Sequence, residues 1–231
     1  MCIFAAIMAN DYFKFKQFTV WQSQCAMKVG TDGTLLGAWA NGGSRILDVG
    51  TGTGLIALMM AQRFADAYVT GIDIDEKAVE QARSNAAASP FGQRVSIEEC
   101  DVEMVKGVYD CIVSNPPFFS DSLKCPDESR TMARHTDTLP YGKLIHHICR
   151  LLSNDGEASL IIPFDCLSRL ESEAVLHGLF KTRECAVRTT PTKQPRRYLL
   201  AFRKHPASLF EKTELTIGSE TYLKLTKEFY L

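Results

Sequence analysis

The sequence predicts an α/β protein: a doubly wound, mostly parallel sheet of seven strands, an antiparallel hairpin strand near the carboxyl terminus and a small amino-terminal cap. Three observations predict it. From residue 45 onward, Val-, Ile- and Leu-rich runs alternate with helix-like segments, the pattern of parallel strands joined by helices that cover both faces. Glycines at 50, 52 and 54 follow the first run, where a strand of such a sheet hands over to a helix at the ligand edge. The last third holds two strand-like runs with no room for a helix between them, so they should pair antiparallel.

Taken in chain order, Phe13 to Gln22 alternates aromatic and polar residues and reads as a small hairpin or extended cap. Thr31 to Ala40 reads as a helix capped at its start. Strands are expected near 45–49, 67–73, 94–98, 108–114 and 156–163, and helices near 53–64, 75–88, 141–153 and 165–179. Thr182 to Thr189 and Arg196 to Lys204 complete the hairpin. Residues 1–44 are therefore an extension or cap, and 45–231 the main domain. A chain of 231 residues is long enough for one sizeable core and too short for two full domains with a linker.

Composition narrows the class. Hydrophobic residues make up 45% and charged residues 23%, the balance of an ordinary globular protein and not of a disordered or fibrous one. No run is long enough for a membrane helix. The apolar opening, Cys2 to Ala9, lacks the basic segment of a secretion signal and reads as a disordered or mis-assigned start, with Met8 the alternative initiator. Eight cysteines are scattered without ligand or disulfide spacing, which fits reduced thiols in the cytoplasm and predicts no metal. The net charge is −1, yet residues 181–231 carry eleven Lys and Arg against five Asp and Glu, an asymmetry that points to a local anionic partner.

The chemistry begins at Ile46 to Gly54, ILDVGTGTG. Glycines here let a backbone turn pass close to a ligand, and the following helix start supplies free amides. A dinucleotide site uses a G-x-G-x-x-G turn to hold pyrophosphate, but this chain has G-x-G-x-G and an acid, Asp48, two residues before the first glycine. An acid there suits a cationic ligand better than a phosphate, and S-adenosylmethionine carries an ammonium and a sulfonium. The second strand ends in Asp73, nineteen residues after Gly54, where a carboxylate can accept both ribose hydroxyls of a nucleoside. Asp101 closes the third strand, within reach of an adenine amine. Thr51 within the glycine turn, and Ile74 and Val102 after the two acids, belong to the same expected site. Asp75 is read as an ordinary helix cap. In this order and spacing, Asp48, Gly50, Gly52, Gly54, Asp73 and Asp101 resemble the cofactor motifs of class I, Rossmann-like S-adenosylmethionine-dependent methyltransferases.

The fourth strand ends in Ser114-Asn115-Pro116-Pro117-Phe118. Two prolines stiffen the backbone and remove two amide donors, leaving the neighbouring carbonyls and the Asn115 side chain as acceptors at the carboxyl edge. An exocyclic amine donates two hydrogen bonds and has a lone pair delocalised into its ring. If Asn115 Oδ1 and the Pro116 carbonyl accept those bonds, the nitrogen turns pyramidal and its lone pair becomes available. Phe118 would stack on the base, and Asn115 would also touch the cofactor. Such a motif is shared by enzymes acting on adenine in nucleic acids, on guanine N2 in rRNA and on protein glutamine, so the motif alone leaves the substrate open.

The amino-terminal stretch narrows it. Phe15 to Trp21 (FKQFTVW) and Cys25 to Trp39 (CAMKVGTDGTLLGAW) closely resemble the tRNA1(Val) (adenine-N6)-methyltransferase family, and the likeness extends through Ala133-Arg134-His135, Arg197 to Phe202 and Phe229-Tyr230-Leu231. The resemblance implies methylation of the adenine next to the anticodon of a valine tRNA, with Lys28, Thr31 and Asp32 beside the methionine end of the cofactor. Helix capping is an equally good role for Thr31. Residues 181–204 contain eight Lys and Arg against one acid, Glu184, a composition suited to phosphates; Lys193, Arg196 and Arg197, with Arg134 in the long polar loop 119–139, are the expected RNA contacts. His135 is read as a solvated loop residue, and His146 and His147 as partly buried packing residues.

Overall fold

The computed structural model describes residues 11–25, 27–117 and 140–231. Phe118, Arg134, His135 and the opening residues 1–10 lie outside the described residues.

The cap is a hairpin of β1 (Tyr12–Lys14) and β2 (Thr19–Trp21), followed by helix α1 (Thr31–Trp39). Then come β3 (Arg45–Val49), α2 (Leu55–Arg63), β4 (Tyr68–Asp73), α3 (Glu76–Ala88), β5 (Val95–Glu99) and β6 (Tyr109–Ser114). After the undescribed segment follow α4 (Tyr141–Leu151), β7 (Leu152–Pro163), α5 (Leu167–Leu176), β8 (Phe180–Arg188), β9 (Arg197–Arg203), β10 (Glu211–Thr216) and α6 (Glu220–Thr226). The main sheet has the order β10-β8-β9-β7-β6-β3-β4-β5, with β9 alone antiparallel to its neighbours. It therefore holds eight strands where the sequence suggests seven. β10 is the addition: its first four residues are exposed and charged or polar, so it lacks the apolar alternation that marks a strand, as befits a protected sheet edge.

Each face of the sheet has its own core, and neighbouring residues of β3 show the pleat: Ile46 packs into one and Leu47 into the other. The first core takes in α2, parts of α1 and α3, and Phe15, Phe18 and Val20 of the cap. α2 is buried from Leu55 to Ala61, sandwiched between sheet and α1. The α1–α2 approach is close enough that a Cβ on Gly37 would lie 2.8 Å from Met59 Sδ. The second core takes the apolar stripe of α4, where Tyr141, Leu144, Ile145, Ile148 and Leu151 recur at helical spacing. Buried His147 accepts from Arg150 Nε at 3.2 Å, whereas His146 is exposed, which corrects the expectation that both are partly buried.

Two helix starts separate local rules from tertiary ones. Asp75 caps α3 as expected, accepting from the Lys77 amide at 3.0 Å. Thr31 does not cap α1: the cap position falls on Gly30, with no side-chain bond, and Thr31 is the first helical residue.

Candidate active site

Along the chain, β3 is followed by β4 and β5 on one side, after which β6 returns to its other flank. The connections that leave the carboxyl ends of β3 and β6 therefore lead to opposite sides of the sheet, and a sheet of this kind opens a crevice there. Gly50, Gly52 and Gly54 all have positive φ, at 73°, 54° and 81°, a region other L-residues enter only with strain. A Cβ on Gly50 or Gly52 would meet no protein atom within 4 Å, so the turn presents bare backbone to open space.

Asp48 holds that turn from beneath. It is fully buried; Oδ2 accepts from Thr51 Oγ1 at 2.7 Å and from the Ala57 amide in α2 at 3.1 Å. Burial pushes its carboxyl up to about 7, against the pull of those two bonds. Asp48 and Thr51 thus face each other inside the protein and not the crevice, which corrects the expectation that the acid meets a cationic ligand directly.

The crevice is a cavity of about 340 Å³ lined by Gly50, Gly52, Asp73, Ile74, Asp101, Val102 and Asn115 among the expected site residues. Asp73 Oδ2 accepts from the Gly52 amide at 2.8 Å, and Oδ1 from Asp75 N at 3.1 Å, so the carboxylate is fixed in direction with lone pairs left for a ligand. Ile74 is more than half exposed while Val102 is buried, which gives the cavity two apolar surfaces beside the acids. Asp101 accepts from the Glu103 amide at 2.9 Å, which holds its carboxyl below the usual range, and is paired with Lys143 at 2.9 Å.

On the opposite wall, β6 delivers Ser114, Asn115, Pro116 and Pro117. Ser114 Oγ donates to the Val49 carbonyl at 2.8 Å, locking the β6 exit to the β3 exit. Asn115 Oδ1 is buried and has no hydrogen-bond partner among the described residues. A buried acceptor without a partner costs stability unless something else meets it, and this one lines the cavity.

Sequence reasoning missed Lys143, Cys25 and Met27, all of which line the cavity. Lys143 carries no motif, and only the packing of α4 brings it to Asp101. Cys25 and Met27 belong to the segment between β2 and α1, tied down where Asn85 of α3 donates to the carbonyls of Trp21 (2.8 Å) and Thr53 (2.9 Å). Lys28, Thr31, Asp32 and Gly54 do not line the cavity: Lys28 Nζ donates to the Gln22 carbonyl, and a Cβ on Gly54 would press on Ala82 at 3.3 Å. Asp32 accepts from Arg197 Nε at 2.7 Å, so two residues expected to serve different ligands meet each other.

The basic composition of 181–204 is largely consumed internally. Lys181 pairs with Glu171 and Glu184, Arg183 with Glu157 and Glu211, Arg188 with Glu214, and Arg203 with Glu157. Lys193 and Arg196 are exposed and have no carboxylate partner among the described residues. Both lie in the β8–β9 turn. Because Pro163, the last residue of β7, is in register with Arg197, that turn stands at the same sheet edge as the cavity.

The hollow at the carboxyl edge has a fixed carboxylate on one wall and, on the other, an amide oxygen with no partner among the described residues; with residues 30–190 matching a methyltransferase family, the chain is a class I methyltransferase. Residues 30–190 match the family model of the methyltransferase small domain, and the chain is 47% and 50% identical to tRNA1(Val) (adenine(37)-N6)-methyltransferases of Bacteroides thetaiotaomicron and Phocaeicola vulgatus, over 97% of this chain and 99% of each relative. It belongs to the tRNA1(Val) (adenine(37)-N6)-methyltransferase family. The fold is also similar to that of a predicted O-methyltransferase from Agrobacterium tumefaciens, with a TM-score of 0.64 at 20% identity over 86% of this chain and 96% of that one.

Proposed function

We propose that this enzyme transfers a methyl group from S-adenosylmethionine to N6 of adenine 37, beside the anticodon of tRNA1(Val). The observation that carries the chemistry is Asn115 Oδ1, buried at the cavity wall with no partner among the described residues. An adenine amine donating to it, and to the Pro116 carbonyl, would lose its planarity and aim its lone pair across the cavity. No side-chain base is needed, because catalysis comes from orientation and from acceptors directed at the charge developing on nitrogen.

The cofactor fits the residues present. The bare backbone at Gly50 and Gly52 leaves room for it, Asp73 would accept from ribose hydroxyls, Asp101 from the adenine amine, and Ile74 and Val102 would flank the ring. When bound, S-adenosylmethionine supplies an electrophilic methyl group on its sulfonium. Lys28, Thr31 and Asp32, which do not line the cavity, would stand beside the methionine end.

Phe118 would stack on a base taken out of the anticodon loop, and Lys193 and Arg196 would hold phosphates at the same edge, joined by Arg134 and Arg197. A tRNA substrate would put the enzyme in the cytoplasm. Among the described residues no helix is long and apolar enough to cross a membrane.

The test is nucleoside mass spectrometry of tRNA from a strain lacking the gene, after incubation with purified enzyme and S-adenosylmethionine. N6-methyladenosine mapped to position 37 of tRNA1(Val) is expected. Methyl-labelled S-adenosylmethionine incubated with the enzyme and an extract of the same strain, giving label in protein and in no RNA, would overturn the reading in favour of glutamine methylation.

A further inference from the structure

Phe164 is 56% exposed, although it directly follows the last residue of buried strand β7. Its backbone is held twice: it begins a 3₁₀ turn over Phe164–Cys166, and its amide donates to the Arg196 carbonyl at 3.1 Å. Its ring lies 6.1 Å from that of Tyr198, inclined by 35°, and Tyr198 is itself packed against the second core. The ring is thus presented on a rigid support, beside the exposed Arg196.

The register places this surface relative to the reacting centre. β6 and β7 are neighbours with Ser114 opposite Leu160, so Asn115 is level with Ile161 and Phe164 lies three residues further on, one strand across. By strand rise and spacing that separation is roughly 10 Å. An aromatic face with a cation beside it, at that range from a site that takes a flipped base, is the combination that stacks a nucleobase while holding its phosphate.

We propose that Phe164, backed by Tyr198, is a second stacking platform, which receives an unpaired anticodon-loop base flanking the target adenine, with Arg196 on the adjoining phosphate. The platform grips substrate and takes no part in the methyl step. It rests on the tRNA reading above.

The experiment uses the full-length enzyme with a tRNA1(Val) anticodon stem-loop in which 2-aminopurine replaces a loop base flanking the target. Wild-type enzyme should quench the probe on binding and methylate the RNA. Phe164→Ala should abolish the quenching and raise KM for the RNA by about 5- to 100-fold, with kcat at saturating RNA and S-adenosylmethionine affinity unchanged. Phe164→Trp should restore both signals, which separates stacking from a folding defect. Unchanged quenching and KM in Phe164→Ala, from an enzyme that still methylates the stem-loop, would overturn the platform and leave the tRNA reading standing. Wild-type enzyme that methylates no tRNA would overturn both.

Discussion

Asn115→Ala separates the transition state from everything else the site does. In the protein alone Asn115 Oδ1 makes no bond to described residues, so its removal forfeits no bond to them through that atom, and the melting temperature should stay within about 2 °C of wild type. In the reaction the same oxygen faces an amine gathering positive charge, in a walled cavity where one such preorganised group contributes about 3 kcal/mol. That corresponds to a fall of about 100-fold in kcat. Asn115 is only one of several residues lining the cofactor cavity, so affinity for S-adenosylmethionine should change by less than about threefold, or 0.7 kcal/mol. Calorimetric titration with S-adenosylmethionine and single-turnover methylation of the tRNA, on the same preparation, read the two quantities. A variant that turns over within threefold of wild type refutes the acceptor argument. One that loses cofactor binding in proportion to its rate refutes the assignment to the transition state.

Gly52→Ala forces a Cβ onto a residue with φ 54° at the cavity wall, so we expect a backbone cost of about 1–2 kcal/mol and a loss of at least about tenfold in S-adenosylmethionine affinity. Unchanged affinity by calorimetry would remove the glycine turn from the cofactor site. Asp48, pushed up to about 7 by burial, holds its proton more tightly folded than unfolded, so its contribution falls as pH rises from about 4 to 7 and is level above. Urea midpoints of wild type should therefore drop relative to Asp48→Asn across that window; parallel pH profiles would contradict it. Glu157, 4% exposed, receives Arg183 at 2.8 Å and Arg203 at 3.0 Å, and Glu157→Ala leaves Arg183, only 15% exposed, without that partner. A loss of about 3 kcal/mol, roughly 6–12 °C in melting temperature, is expected by calorimetry, and a shift under 2 °C would show the pair to be dispensable.

The sequence by itself determined what depends on neighbours along the chain. Period and turn chemistry placed β3 to β7, the helices between them and the β8–β9 hairpin within a few residues, because strand alternation, helix spacing and glycine conformations are local properties. The glycine turn and Asn-Pro-Pro were legible for the same reason: each is a contiguous segment whose backbone has few alternatives. Asp75 as a cap was equally local.

Tertiary structure decided who faces whom. Asp48 sits two residues from Gly50, yet α2 docking turns it toward Thr51 and Ala57 and away from the crevice. Lys143 reaches Asp101 across 42 positions of chain, which no motif can foresee. The basic run from 181 to 204 loses much of its free charge to Glu171 on the preceding helix and to Glu157, Glu211, Glu214 and Asp32, carboxylates distant in sequence that the packing of strands and helices brings alongside. Charge counted along a chain reports composition. Charge available to a partner depends on which pairs the fold has already closed, and that is settled by contacts between elements.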